Sequence, residues 1–405
     1  MPRNRSPHPA LVAGLAAAVT LSGQLLLSPA AQAALPEPAR SACRNAETVP
    51  VETGAAFNDP VAGTPTAVVE RLCSLIKQAP AGSSIEIAEF VISGDAGADY
   101  VAVLLDAYRR GVEVRMVIDG YQIDNPAAQQ LIGTLGTDKS ATSWVHVCSH
   151  LSPEGNTSSC QGTKGMHNKF TLFSETGGKR DVVVQASNNI TDVNSTSYWN
   201  NLVVLPGNRE LFQGYAKYFD DLAAEVQNPD YDTTVVAGGP AGKITAQFYP
   251  VADRDPIAQR LAEVGCKSKG RTRVEIGQSE WDGTRLAIVD ELAKLKAAGC
   301  QVRVVHGLAD DSVKAALDAA GIERRALDGS TPAGRIHSKY MVVTDSTGPG
   351  SGKGWVMTGS HNFNATSLRR NDEAMVELSE RGVVAAYAAN FARLWEVGVA
   401  PQPAS

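Results

Sequence analysis

Apolar residues along this chain fall into two rhythms. Ile85-Glu86-Ile87-Ala88 and Gly111-Val112-Glu113-Val114-Arg115-Met116-Val117 alternate or run continuously, as buried strands do. Between them, residues 100–110 place apolar side chains at helical spacing. The same sequence of patterns returns later: Val274-Glu275-Ile276-Gly277, a helical stretch over 284–298, then Gly299-Cys300-Gln301-Val302-Arg303-Val304-Val305. Strand, helix, strand is the parallel crossover unit of an α/β domain. Each copy closes on a further helical pattern, 211–222 and 383–395. The chain therefore reads as α/β, with two similar halves over 61–234 and 243–400. Residues 34–60 read as an N-terminal extension, and the glycine-rich stretch 235–242 as a linker.

Composition refines this picture. With 43% hydrophobic and 20% charged residues the bulk of the chain is neither disordered nor fibrous. A formal net charge of −6 argues against non-specific binding to a polyanion, which needs clustered basic charge. Residues 1–33 read as a cleavable export signal: Arg3 and Arg5 precede a mostly apolar stretch over 10–27, and Ala31-Gln32-Ala33 offers small residues for cleavage. No later segment holds the roughly 20 apolar residues of a spanning helix. Export makes an even count of six cysteines a disulfide signal, with neighbours suggesting Cys43–Cys73, Cys148–Cys160 and Cys266–Cys300 among fifteen possible pairings. Structural zinc prefers Cys-x-x-Cys spacing, which is absent, and His146 and His150 beside Cys148 lack partners at ligand spacing.

The chemistry concentrates in one repeated motif. Met166-His167-Asn168-Lys169 opens an apolar strand, turns at Gly177-Gly178, and returns through residues 181–185 to Ser187-Asn188-Asn189. The second copy runs from Ile336-His337-Ser338-Lys339 through a loop at Pro349-Gly350 to Gly359-Ser360-His361-Asn362. An antiparallel hairpin centred on Gly178 returns Ser187 and Asn189 beside His167 and Lys169. Each copy thus gathers an imidazole, an ammonium, a hydroxyl and an amide. Lysine and asparagine suit anionic phosphoryl oxygens; one histidine can attack phosphorus while another protonates the leaving oxygen. One copy supplies one histidine, and duplication about a pseudo-two-fold axis supplies both.

These paired motifs resemble the phospholipase D superfamily, whose members carry His-x-Lys-x-x-x-x-Asp followed by Gly-Ser-x-Asn in each half. The resemblance implies two α/β halves packed about a pseudo-two-fold axis, with the active site at their interface. It implies His167 and His337 as nucleophile and acid/base, Lys169, Lys339, Asn189 and Asn362 as phosphate ligands, and Ser187, Ser360 and Asn200 as substrate-binding residues in their support. Its histidine-orienting carboxylate falls at Glu373; the matching first-copy position is Asn200. The family's Asp is replaced by Ser174 and Thr344, and the first copy has Ala186 for glycine.

The resulting expectation is a secreted monomeric phosphodiesterase. It hydrolyses phospholipid head-group esters through a phosphohistidine, contacts membranes transiently, and needs no metal or cofactor. A nuclease of the same superfamily and a non-catalytic lipid-binding relative are the alternatives. A lipid synthase of the family is disfavoured by the lack of spanning segments. His361, Asp372, Glu280, Trp144, Tyr198, Trp199 and Trp281 are further candidates near the site, and residues 121–165 are expected to cover the cleft. If Glu373 serves its own copy's His337, that histidine is the better acid and His167 the nucleophile. If the partners cross between halves, the same reasoning opposes that assignment.

Overall fold

Ser84–Glu89 and Glu113–Ile118 pair in parallel, joined by the helix Gly94–Arg109; Arg273–Trp281 and Gln301–Ala309 do the same around Leu286–Ala297. This is the crossover unit expected in each half. The computed structural model describes residues 40–239, 241–267, 271–345 and 354–401. The expected export signal lies outside these residues.

Each half builds one mixed sheet. The first runs Gly54–Phe57, Asn201–Leu205, Lys179–Ala186, Lys169–Thr176, Ser84–Glu89, Glu113–Ile118, Trp144–Val147. The second runs Thr233–Gly239, Gly242–Tyr249, Glu373–Leu378, Trp355–Gly359, Lys339–Thr344, Arg273–Trp281, Gln301–Ala309, Glu323–Ala326. Strand for strand the orders match, apart from the extra edge strand Thr233–Gly239. Two cores are private to the halves. One packs around Val68, Leu72, Leu104 and Ile85; the other packs around Ile288, Leu292, Val274 and Val302. A third is shared: the helices Arg209–Ala224 and Arg381–Val397 bring Tyr215, Phe219, Tyr387 and Phe391 against strand residues of both sheets, Phe170 and Val203 with Val342 and Val376. The described residues accordingly form one unit.

Two boundaries differ from the sequence reading. Residues 235–242 are no linker: Thr233–Gly239 pairs antiparallel with Gly242–Tyr249, matching Thr233 with Phe248 and Gly239 with Gly242. Ala237 is buried and Val236 exposed, an alternation that the glycines masked. Helix and hairpin meet closely at Gly214, where a Cβ would lie 2.7 Å from Val235 Cγ1. The extension 34–60 likewise contributes Gly54–Phe57 to the first sheet's edge, paired with Asn201–Leu205. Within 121–165, the helix Pro126–Leu135 and strand Trp144–Val147 are regular parts of the half, equivalent to Asp311–Ala319 and Glu323–Ala326. Only the segment after residue 147 is a true addition. All three suggested disulfides are formed: Cys43–Cys73, Cys148–Cys160 and Cys266–Cys300.

Candidate active site

The halves are stitched together by two equivalent backbone bonds. The N–H of His167 donates to Asp372 O (3.0 Å), and the N–H of His337 donates to Trp199 O (2.9 Å). Met166 and Asp372 form a parallel bridge; Arg335-Ile336 pairs in parallel with Tyr198-Trp199. Each histidine is thereby fixed beside the residue preceding the other half's Glu373 or Asn200. The side chains follow. His167 Nδ1 lies 2.9 Å from both Glu373 carboxylate oxygens, and His337 Nδ1 lies 3.0 Å from Asn200 Oδ1. The partners cross.

Both histidines open, with Asn189 and Asn362, into one cleft of about 640 Å³. Lys169 and Lys339 lie beneath them, buried, each Nζ donating to the main-chain carbonyl of its own half's histidine. Lys169 stands in register with Glu89 on the neighbouring strand, and Lys339 with Gln278. Phe90 completes the first-half floor, its ring 4.9 Å from the His167 ring and 4.9 Å from Lys169 Nζ. The cleft carries unsatisfied acceptors: Asn189 Oδ1, Asn362 Oδ1 and Asn371 Oδ1 are buried without partners among the described residues. Buried polar atoms in that state are waiting for a ligand or water.

Electrostatics separates the two imidazoles. Burial lowers the His167 pKa, and Glu373 opposes the shift. His337 falls well below its ordinary value through burial and the charges of Lys339 and Lys169, and its Nδ1 partner is the neutral amide of Asn200. Burial would raise Glu373, yet His167 and the nearby cations hold it down to about 2, so it is ionised. Lys169 is pushed down to about 8 by burial, with Glu89, itself raised by burial to about 8, opposing. On starting charge alone His167 is the more readily protonated imidazole, and this opposes the simple assignment of His167 as nucleophile.

Three residues expected to touch substrate do not reach the cleft. Ser187 Oγ donates to Asn200 Oδ1 (3.1 Å) and accepts from Asn201 N (3.0 Å); Ser360 Oγ accepts from Ala374 N (3.1 Å). All three side chains, Ser187, Ser360 and Asn200, are buried, because each is consumed in bracing the strands behind the histidines. With Ser187 donating to it, Asn200 Oδ1 also accepts from His337 Nδ1–H, leaving Nε2 as the free nitrogen. The replaced motif acids are structural as well: Ser174 Oγ accepts from Ser84 N (2.8 Å), and Thr344 Oγ1 from Arg273 Nε (3.3 Å).

Among the further candidates, Glu280 and Tyr198 line the cleft. Trp144, Trp199 and Trp281 are core residues. His361 is fully buried against Tyr249, ring centroids 4.4 Å apart, and burial pushes its pKa down to about 3. Asp372 anchors the added segment, its carboxylate accepting from Cys160 N (2.7 Å), Gly162 N (2.6 Å) and Gln161 N (3.2 Å). Asp119 holds the same segment through Ser158 N and Met166 N, both at 3.0 Å. Thr157, Lys164 and Gly165 of that segment line the cleft, as expected of a cover. His146 pairs with Glu225 at 3.0 Å; Cys160 lies beside them, but its sulfur is bonded to Cys148. Sequence reading missed Phe90, Asn371 and Arg335. Of these, Arg335 alone carried a signal, standing two residues before His337 as Lys339 stands two after.

A sequence profile for the family described as "Cardiolipin synthase, PLD-like domain" matches residues 72–223 and 267–395, one stretch in each half. No significant match to a curated protein sequence was found. Among solved structures, phosphatidylserine synthase of Haemophilus influenzae Rd KW20 superimposes with a TM-score of 0.60 at 11% identity, covering 89% of this chain and 90% of that one. Polyphosphate kinase of Porphyromonas gingivalis gives a TM-score of 0.54 at 11% identity over 85% of this chain; the match spans half the length of that enzyme. At such identities these likenesses concern the fold.

Proposed function

This chain belongs to the phospholipase D superfamily of phosphodiester-acting proteins, and from that premise we propose that it hydrolyses phospholipid head-group esters through a phosphohistidine on His167. The observation that carries the reading is the pair of histidines lining one cleft, each with its main-chain carbonyl on a buried lysine and each completed by the opposite half.

The phosphate sits over Lys169 and Lys339, whose charges stabilise the equatorial oxygens. His167 keeps its proton on Nδ1, toward Glu373, so Nε2 holds the lone pair. Nε2 attacks phosphorus as the bond to the leaving oxygen breaks, and His337 gives that oxygen its proton. Water then attacks phosphorus, His337 takes a proton from it, and the P–N bond breaks to restore neutral His167. Phosphatidic acid and the free alcohol are the products.

The crossed carboxylate fits this order once charge is followed through the step. An imidazole that keeps Nδ1–H and gains a phosphoryl group on Nε2 becomes cationic, and Glu373 lies against that Nδ1. His337 starts neutral in the empty site because burial, and then the charges of Lys339 and Lys169, disfavour its protonated form. A bound phosphate anion supplies the opposite charge that favours its protonated form.

Lipid is favoured over nucleic acid because the cations at the cleft are mostly paired. Lys164 and Arg370 share Glu154, and Arg335 pairs with Glu280, so these three cations keep one net positive charge between them, less than a polyanion track needs. Val193 at the cleft and Leu151 on the added segment are exposed apolar residues suited to brief contact with a lipid surface. Among the described residues no helix is long and apolar enough to cross a membrane. The three disulfides support an exported protein.

The test offers phosphatidylcholine, phosphatidylethanolamine, phosphatidylglycerol, single-stranded DNA and a chromogenic diester to the protein lacking residues 1–33, with and without strong chelator. Head-group release is expected, and it is expected to survive chelation because Lys169 and Lys339 supply the positive charge. DNA cleavage with every lipid untouched would refute the lipid reading, and turnover restored only by added zinc or calcium would refute the lysine reading.

A further inference from the structure

The histidines and lysines obey the two-fold symmetry, but the walls around them do not. Arg335 stands two residues before His337, where the first half has Gly165 before His167. Glu280 stands two beyond Gln278, the register partner of Lys339; the first half has Val91 two beyond Glu89, the register partner of Lys169. Tyr198 stands two before Asn200, where the second half has Asn371 before Glu373. The His337 side therefore carries a carboxylate, a guanidinium and a phenol that the His167 side lacks.

These three form one assembly. Arg335 Nη2 donates to Glu280 Oε1 at 2.7 Å, and Arg335 Cζ lies 5.6 Å from the Tyr198 ring centroid. Tyr198 in turn stacks on His337, centroids 5.5 Å apart and planes 24° apart. A carboxylate beside an aromatic face is the combination that attracts a quaternary ammonium. Here both are already occupied by a tethered cation, and a choline group would have to displace Arg335 from each. What remains free is Arg335 Nε and Asn362 Oδ1, both buried and without partners among the described residues. One is a donor and the other an acceptor. A hydroxyl can accept from the one or donate to the other; a trimethylammonium can do neither.

We propose that this wall is the subsite of the leaving alcohol, and that it selects uncharged, hydroxyl-bearing head groups such as glycerol and rejects choline. The assignment rests on the phosphohistidine reading above, since an in-line displacement by His167 sends the alcohol out on the His337 side. It names Arg335 as the residue that determines the preference.

The experiment measures kcat/KM for phosphatidylglycerol and phosphatidylcholine with identical acyl chains, diluted in uncharged detergent micelles, with bis(4-nitrophenyl) phosphate alongside. The wild-type protein is expected to favour phosphatidylglycerol by about 10-fold or more, the scale set by leaving buried polar groups unpaired. Arg335→Gln should lower the glycerol rate and raise the choline rate, closing the gap to about 3-fold. Arg335→Lys keeps the charge but loses Nε, so it should still reject choline while losing part of the glycerol rate. Equal wild-type rates on the two lipids, or an equal loss on both in Arg335→Gln, would overturn the subsite and leave the phospholipase reading standing. Cleavage of the chromogenic diester with neither lipid touched would overturn that reading and the subsite with it.

Discussion

His167 and His337 hold equivalent places, each bonded through its main-chain N–H and its Nδ1 to the opposite half. His167 meets the carboxylate of Glu373; His337 meets the amide of Asn200, itself oriented by Ser187 and Asn194. Duplication reproduced the geometry, and a difference in residue type beside each histidine helped to separate the charges. A carboxylate can follow an imidazole into its cationic state, whereas an amide can only fix its tautomer. The same split recurs one layer down, where Glu89 faces Lys169 but Gln278 faces Lys339.

The largest effect should come from removing either histidine. His167→Ala is expected to abolish the covalent adduct and lower turnover by about 10⁴-fold or more. His337→Ala should still form the adduct from a diester with a good leaving group but release product slowly, at about the 10²–10⁴-fold cost of losing a general acid–base group. Acid quench and mass mapping decide between them. A phosphoryl group found on His337 in the otherwise unmodified protein would exchange the two roles.

Making the halves alike by Glu373→Gln should slow adduct formation by about 10²–10⁴-fold while leaving substrate binding nearly unchanged, because the carboxylate acts on His167, most strongly once it becomes cationic, and not on the substrate. Single-turnover kinetics separates the two. A rise in KM with an unchanged first turnover would contradict the crossed pairing.

Smaller shifts belong to pH. Asn200→Asp places an anion on His337, raises its pKa, and should move the alkaline limb of kcat/KM to higher pH. Glu89→Gln removes the carboxyl group that ionises near pH 8, where the Lys169 ammonium is lost, and with it the charge that raises the Lys169 pKa, so that limb should move to lower pH. Opposite displacements in parallel pH profiles are the expected result; displacement in one direction for both would refute the charge assignment.

The smallest effect is expected at the segment unique to the first half. Replacing Cys148 and Cys160 by serine should raise KM only a few-fold, since Asp372 and Asp119 still hold the segment's backbone. Hydrogen exchange over residues 149–165 should rise; unchanged protection there would show that the carboxylates alone suffice.

Much of this was legible in the chain itself. The repeated strand–helix–strand pattern survives because each half must bury the same faces, and the His-x-Lys motifs stand out because both copies kept them. The disulfides followed from sequence neighbours. The crossing of Glu373 and Asn200 was not legible, because spacing within one copy says nothing about which half a strand end will face. Nor was the burial of Ser187 and Ser360, whose hydroxyls serve main-chain groups of adjacent strands. Residues 235–242 read as a linker because their glycines outweighed the inward–outward alternation around Ala237, which only the packing of Gly214 against Val235 makes visible.

The exchange of partners between halves also governs how the catalyst is assembled. Neither half owns a finished site: the first lacks the carboxylate for its histidine, the second lacks the amide for its own. Joined in one polypeptide, the two meet at an effective concentration set by the intervening chain, so the site forms by a first-order event at any dilution. Severed at the hairpin between them, they would have to find one another with the shared core around Tyr215 and Tyr387 exposed, and activity would rise with the product of the two fragment concentrations rather than in proportion to either.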